Sequence, residues 1–272
     1  MRDQLARAGA AGLICLFAAG CSSATQLASE SASKTDSVSR ADTERLIHLA
    51  DDVEARGDYD TSAALLARAA ETSGSTEARL RLGKAQLKIG DYPGARDAFT
   101  KVLATDADNP EALLGLGTAQ LKLGDAESGA RTLALACPRV NTPIAYNRLG
   151  TSLAMLGRLD EALDAFQHAQ SLAPNDLDIE VNVALTQALS GRSDEAIATM
   201  QQVVQSPVAQ RRHRANLVMV LGIAGRTEEA KAVNVPDMSP AQKRDLLARA
   251  KKVHDTTDPL AKVRAVGLLN SA

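Results

Sequence analysis

The chain has 272 residues, of which 45% are hydrophobic and only 2% aromatic, and its formal net charge is −2. This length is ample for a buried core, and the interspersed acidic and basic residues exclude the basic stripe that is typical of nucleic-acid-binding proteins. An apolar content made up of small and aliphatic side chains favours closely packed helices over sheets of aromatic and β-branched residues.

The first 20 residues predict a signal peptide. Arg2 and Arg7 give it a positive start, and the apolar run over 8–20 is shorter than the ~20 residues of a membrane span. The small residues Ala18-Ala19-Gly20 directly precede Cys21, an order that resembles the lipobox of bacterial lipoproteins. This resemblance implies that the peptide is cut before Cys21 and that Cys21 is acylated, for example with palmitate. An ordinary secretory signal with Cys21 as a bystander is the alternative, because the lipobox usually has Leu where Ala18 stands.

Residues 21–42 predict a lipidated Cys followed by a flexible tether. Seven of the residues in 22–39 are Ser, and the segment has too little apolar surface to fold. A flexible chain of this length has a root-mean-square span of about 25 Å. Lipoproteins kept at the inner membrane often have Asp where Ser22 stands. The lipoprotein resemblance therefore implies an anchor in the outer membrane, on its periplasmic face.

A helical array follows over residues 43–236. Glycines recur with spacings of 33, 34, 33, 34 and 34 residues, at Gly57, Gly90, Gly124, Gly157, Gly191 and Gly225. A self-similar period near 34 indicates stacked helix pairs, and each glycine supplies the positive φ that often ends a helix. The predicted pairs occupy 43–75, 76–109, 110–142, 143–176, 177–210 and 211–236.

The fourth pair, over 143–176, carries the repeat pattern most fully. Leu149-Gly150 lies in its first helix, Gly157 at the turn, and Ala162 and Phe166 in its second helix. This order of small and large residues resembles the tetratricopeptide repeat (TPR) superfamily. The resemblance implies an all-α, right-handed superhelix of about six helix pairs, an α-α solenoid that binds protein partners.

Residues 237–272 predict two C-terminal capping helices. Ser239 and Pro240 are residue types that favour the start of a helix, which we expect to run to about residue 254. A shorter helix is expected over 259–269. We expect the two helices to cover the exposed apolar end of the stack.

The sequence contains no convincing catalytic or metal-binding constellation. The histidines are scattered, at His48, His168, His213 and His254, and no HExxH, GxSxG or phosphate-loop motif is present. Asp164 lies four residues before His168, which predicts a solvated surface pair rather than half of a catalytic dyad. Cys137 follows an apolar run and predicts a buried, unreactive thiol. We therefore expect a protein that is not an enzyme and takes no metal, cofactor or small-molecule substrate.

The concave surface of such an array, lined by the first helix of each pair, is the expected binding site. Asn147, Asn182 and Asn216 occupy similar places on it, and an Asn amide can both donate to and accept from a peptide backbone. The predicted groove also contains Arg81, Lys84 and Arg148, which are suited to carboxylates. The alternative is that the Asn side chains only bridge neighbouring repeats.

One dense basic run, at Arg211, Arg212 and Arg214, is a second candidate contact. It suits phosphates or an acidic partner, and it equally suits a solvated entry into the sixth helix pair. The sequence leaves both readings open.

Two segments near the C-terminal end of the array carry a narrower resemblance. The segment from Arg214 to Arg226, followed by Glu229-Ala230, and the segment 183–197 resemble TadD-type lipoproteins. The resemblance implies an outer-membrane lipoprotein that assists Flp/Tad pilus assembly or its secretin channel. The alternative function is a TPR lipoprotein scaffold for other envelope biogenesis, such as outer-membrane protein assembly or peptidoglycan enzymes.

Overall fold

The computed structural model describes residues 40–266, and over this range the backbone forms fourteen α-helices and no strand. The first helix, α1, covers residues 40–55. The others are α2 (Tyr59–Ser73), α3 (Thr76–Ile89), α4 (Tyr92–Leu103), α5 (Pro110–Lys122), α6 (Ala126–Val140), α7 (Pro143–Met155), α8 (Leu159–Leu172), α9 (Leu177–Leu189), α10 (Ser193–Gln205), α11 (Arg211–Ile223), α12 (Thr227–Ala232), α13 (Pro240–His254) and α14 (Pro259–Val266). The all-α prediction is confirmed. The predicted signal peptide, Cys21, the tether up to residue 39 and the end of the last predicted helix lie outside the described residues.

Consecutive helices from α1 to α12 form antiparallel pairs that stack on one another. Each helix packs on the next one along the chain, and the first helices of successive pairs also approach each other, as in α3 with α5 and α9 with α11. Contact among first helices makes them the inner layer of a curved stack. The second helices, α2 to α12 in even numbers, form its outer layer.

The turns within the pairs show why glycine recurs in the sequence. All six predicted turn glycines have a left-handed backbone, with φ between +73° and +86°. The helix that follows is capped, as where the Asp91 carboxylate accepts a hydrogen bond from the Gly94 N–H at 3.0 Å. The predicted positive φ at these turns is therefore confirmed.

The glycine turns give a first testable prediction. At Gly191 φ is +86°, and an added Cβ would meet no atom within 4 Å, so a larger residue there would suffer only backbone strain. We expect Gly191→Ala to lower the free energy of unfolding by about 1–2 kcal/mol, and Gly191→Asn to cost less because Asn adopts this conformation more readily. Urea denaturation of the two variants measures the difference. Equal stability of wild type and Gly191→Ala would contradict this account of the turn.

Inside the second, third and fourth pairs, a large side chain of the second helix packs onto a glycine of the first. A Cβ added to Gly83 would lie 2.8 Å from the Phe99 ring, and one added to Gly150 would lie 2.7 Å from the Phe166 ring. Phe99 also packs on Gly115 of the next pair. The small and large residues that recur in the sequence are thus the residues through which the helices contact each other.

Cys137 lies in α6 and is only 2% exposed. Burial raises the pKa of its thiol to about 12, so the thiol stays protonated and unreactive at neutral pH. The predicted buried cysteine is confirmed.

The two C-terminal helices differ from the expectation that both cap the end of the stack. Ser239 caps α13 as predicted, and α13 packs along α11. However, α14 turns back and contacts α7 of the fourth pair and α9 of the fifth pair. Val263 is fully buried there, and Gly157 lies so close to α14 that an added Cβ would be 3.3 Å from the Leu260 nitrogen. The apolar side of this short helix is buried between α13 and the inner layer rather than at the end of the stack.

Candidate functional site

The inner layer carries a column of side chains that lie nine residues before each turn glycine. From the second helix pair onward, the column consists of Arg81, Gly115, Arg148, Asn182 and Asn216. Its polar members line three cavities on the concave surface, together with residues of the neighbouring first helices. We call this surface the groove. The predicted groove residues thus share one surface, although they are divided among three cavities.

The N-terminal cavity, of about 750 Å³, contains Arg81 and Lys84, and both are already paired with carboxylates. Arg81 Nη1 lies 2.7 Å from Asp51 and Arg81 Nε lies 2.5 Å from Glu77, while Lys84 pairs with Glu111. The hydrogen bond from Arg81 to Glu77 raises the pKa of the guanidinium, against the lowering effect of burial. A partner's carboxylate would have to displace these pairs, which at an exposed site are worth about 0–1 kcal/mol each.

The central cavity, of about 260 Å³, contains Asn147, Arg148 and Asn182. The Asn182 Nδ2 donates to Asn147 Oδ1 at 2.8 Å, so these two amides do bridge neighbouring repeats. They also border the cavity, and the one bond leaves further donors and acceptors on both amides. Bridging and binding are therefore compatible roles for this pair.

In the same cavity, Arg148 has a neutral partner only. Its Nη1 donates to the Thr118 hydroxyl at 2.9 Å, and within residues 40–266 no carboxylate lies at ion-pair distance from it. Burial lowers the pKa of the Arg148 guanidinium. Burial, together with the charge of Arg148, also lowers the pKa of the Lys122 ammonium at the cavity rim.

The third cavity, of about 580 Å³, shares Asn147 and Asn182 with the central one and extends to Asn216. Its far wall is formed by the C-terminal helices through Arg249 of α13 and Val266 of α14. The central and third cavities are thus neighbours along the inner layer, and α14 borders the third one; we call the two cavities together the channel.

The basic run near the start of α11 is partly used to join two helix pairs. Arg212 contacts the Asp178 carboxylate with two nitrogens, at 3.0 and 2.8 Å, and the buried His213 lies 3.1 Å from the same carboxylate. Burial works to raise the pKa of Asp178, but the hydrogen bonds from Arg212 and His213 bring it below its usual value. Among the described residues, Arg211 and Arg214 have no ion pair, so they remain candidates for a contact.

Sequence reasoning missed Thr118, Lys122 and Arg249 as groove residues. Lys122 stands two residues before its turn glycine, as Lys88 does in the second pair, so the repeat spacing contained a signal for it. Arg249 lies outside the repeats, and no periodic signal marks it.

The remaining candidates for chemistry show no assembled site. The His168 ring packs on Tyr146 with 3.9 Å between ring centroids, on the side of α8 that faces α6 and α7. Across residues 40–266, no three metal-ligating side chains come together, and no helix is long and apolar enough to cross a membrane.

Comparisons with known proteins support the repeat architecture. Tetratricopeptide repeat profiles match residues 48–110, 80–142 and 143–176. A tetratricopeptide repeat protein from Parabacteroides merdae is similar in structure, with 15% identity, a TM-score of 0.64, and coverage of 84% of this chain and 99% of its own. PilF from Pseudomonas aeruginosa is also similar, with 15% identity, a TM-score of 0.58, and coverage of 84% and 98%.

MamA from Desulfovibrio magneticus is a further structural neighbour, with 19% identity, a TM-score of 0.57, and coverage of 60% of this chain and 94% of its own. At these identities the likeness is one of fold. No curated protein sequence matches the chain. The predicted superhelix of tetratricopeptide repeats is confirmed.

Proposed function

We propose that this chain, whose residues 48–176 are tetratricopeptide repeats, is a scaffold that holds protein partners in its groove and serves Flp/Tad pilus assembly or its secretin. The observation that carries the scaffold proposal is the pair of neighbouring cavities lined by Asn147, Asn182 and Asn216, where amides and cations border open space on the concave surface. An amide can hold an extended backbone of any sequence, because it both donates and accepts. The chain acts by binding in this proposal, not by catalysis.

The pilus assignment rests on resemblance in two segments of the array. These segments, 183–197 and 214–230, resemble TadD-type lipoproteins, and they form parts of α9 to α12 next to the third cavity. PilF and MamA support the fold alone. The alternative is that the same groove and anchor serve another part of envelope biogenesis, such as outer-membrane protein assembly or peptidoglycan enzymes.

We further propose that the chain is anchored to the periplasmic face of the outer membrane through a lipid on Cys21. One acyl chain gives only marginal membrane binding, so stable anchoring needs more than one. Anchoring raises the local concentration of the groove to the millimolar range, which increases avidity about 10²-fold or more without tighter contacts. Cys21→Ala is expected to move the protein from the membrane fraction to the soluble periplasmic fraction with unchanged helicity. Retention in the membrane fraction would contradict the lipid anchor.

The partner is tested by affinity capture from solubilised envelopes, with captured proteins identified by mass spectrometry. Wild type is compared with the double variant Asn182→Ala, Asn216→Ala and with Leu135→Ala, a control at an exposed position of the outer layer. Asn216→Ala is also tested alone, because Asn182→Ala removes the bond to Asn147. Thermal melting checks that every variant is folded.

We expect capture of the secretin or other pilus components by wild type and by Leu135→Ala, and their loss from the double variant. Capture of outer-membrane assembly or peptidoglycan proteins instead would shift the function to the other client class. Capture that survives in the double variant would exclude the groove as the binding surface.

A further inference from the structure

The two ends of the groove differ in how their positive charges are neutralised. At the N-terminal cavity, Arg81, Lys84 and Lys88 each have a carboxylate partner. The channel formed by the central and third cavities contains one such pair, Arg212 with Asp178. Its other cations, Arg148, Lys122 and Arg249, have no carboxylate at ion-pair distance within the described part of the chain. The channel is therefore the part of the groove whose charge is left for a ligand.

Arg148 is the member of this set with the most specific surroundings. It stands in the same column as Arg81, nine residues before the turn glycine, yet its neighbour is the hydroxyl of Thr118. The Thr118 hydroxyl in turn donates to the Leu114 carbonyl at 2.6 Å and is only 4% exposed. The guanidinium is thus held in place by a neutral group, and most of its N–H donors remain free.

The size of the central cavity limits what can enter it beside Arg148. Its volume of about 260 Å³ is below the range of pockets for drug-sized molecules, roughly 300–1,000 Å³. Polar groups of Lys122 and Asn147 line it, and Phe166 and Ala154 provide an apolar wall. A short side chain with an apolar stem and an anionic end fits this combination.

The third cavity supplies the path along which the rest of such a ligand would run. It shares Asn147 and Asn182 with the central cavity as lining residues, and it extends to Asn216 and the cation of Arg249. The amides along this path suit a peptide backbone, whereas a free small anion would leave the path unused.

We propose that the channel takes an extended peptide segment of the partner, with one Asp or Glu side chain seated in the central cavity against Arg148 and Lys122. The backbone of the segment runs along Asn182 and Asn216. This inference rests on the proposed function, since it names the chemistry of the partner that the groove holds. Charge complementarity to Arg148 and Lys122 selects an acidic side chain of the peptide, which can form charge-assisted hydrogen bonds with the free guanidinium donors.

The test is a selection from a library of short random peptides with acetylated N-termini and amidated C-termini. We expect wild type to enrich peptides with Asp or Glu at one fixed position, and rising NaCl concentration to weaken their binding. Selected peptides are then titrated against Arg148→Gln, with Arg131→Gln, at an exposed position of the outer layer, as the matched control outside the groove. We expect binding to weaken about 10-fold or more for Arg148→Gln and to change little for Arg131→Gln.

Lys122→Gln, at an exposed position, serves as a second variant if Arg148→Gln fails to fold, and it is expected to weaken the same peptides. Enrichment without acidic residues, or equal affinity of wild type and the folded variants, would overturn the inference. The same holds if binding requires a free C-terminal carboxylate, which a parallel library with unblocked C-termini reveals. Capture of an envelope partner together with any of these results would leave the proposed function standing and reject only the acidic side chain.

Discussion

Replacing Phe99 by Ala is expected to lower the free energy of unfolding by about 3–5 kcal/mol. The Phe99 ring is fully buried between two helix pairs, against Gly83 of its own pair and Gly115 of the next. A glycine cannot extend into the space that the ring leaves, so the cavity persists and adds to the lost burial. Because each repeat is stabilised by its neighbours, the loss should extend to the contact between α3 and α5.

Urea denaturation measures this effect, and Leu135→Ala is the matched control, since Leu135 is 55% exposed on the outer layer. The control should change stability by less than about 0.5 kcal/mol. A loss below about 1 kcal/mol for Phe99→Ala would mean that the ring is not the contact that joins the second and third pairs.

Val263→Asp is expected to detach α14 from the inner layer. Val263 is fully buried in a cluster that includes Val181 of α9 and Met219 of α11. A carboxylate there would be desolvated without a partner, which costs several kcal/mol. Because a helix of this length is not stable by itself, the packing of α14 should not survive that cost. The helices before α7 share at most a few contacts with α14 and should keep their stability.

Hydrogen exchange followed by mass spectrometry measures detachment segment by segment. We expect amides of α14 to lose protection, with smaller losses in the parts of α7 and α9 beneath it and none in α3 to α6. Arg264→Asp places the same residue at the exposed neighbouring position and should leave protection unchanged. Unchanged protection of α14 in Val263→Asp would contradict the packing described for this helix.

The fold class followed from the sequence because the repeat imposes the same requirement on every pair. Each turn needs a residue that tolerates a positive φ, and each first helix needs a small residue under a large one, so Gly157, Gly150 and Phe166 recur in register with their counterparts. These requirements are local and repeated, which makes them visible in a single chain.

Which charged side chains of the groove form ion pairs could not be predicted in the same way. The pairing of Arg81 with Asp51 joins residues 30 positions apart, and that of Lys84 with Glu111 joins residues 27 apart. Such partners belong to neighbouring repeats, and only the curvature of the stack decides whether their side chains meet. The sequence therefore predicted the same role for Arg81 and Arg148, although of these two only Arg148 lacks a carboxylate partner in the described chain.

The position of α14 could not be predicted from the sequence either. Its apolar residues predict that one side of the helix is buried. Because the helix lies outside the repeats, the repeat spacing does not indicate which surface it packs against. The path of 255–258 brings it back over α7 and α9, where Val266 borders the third cavity. One wall of the groove is thus formed by helices that lie outside the repeats.

Photo-crosslinking in living cells tests the central claim, that partners bind in the groove, most directly. A photoreactive amino acid replaces Arg249 at the rim of the third cavity in one strain, and Leu135 on the outer layer in another. We expect a defined crosslinked adduct with an envelope protein from position 249 and none from position 135. Adducts from position 135 alone would contradict it and place the partner on the convex surface.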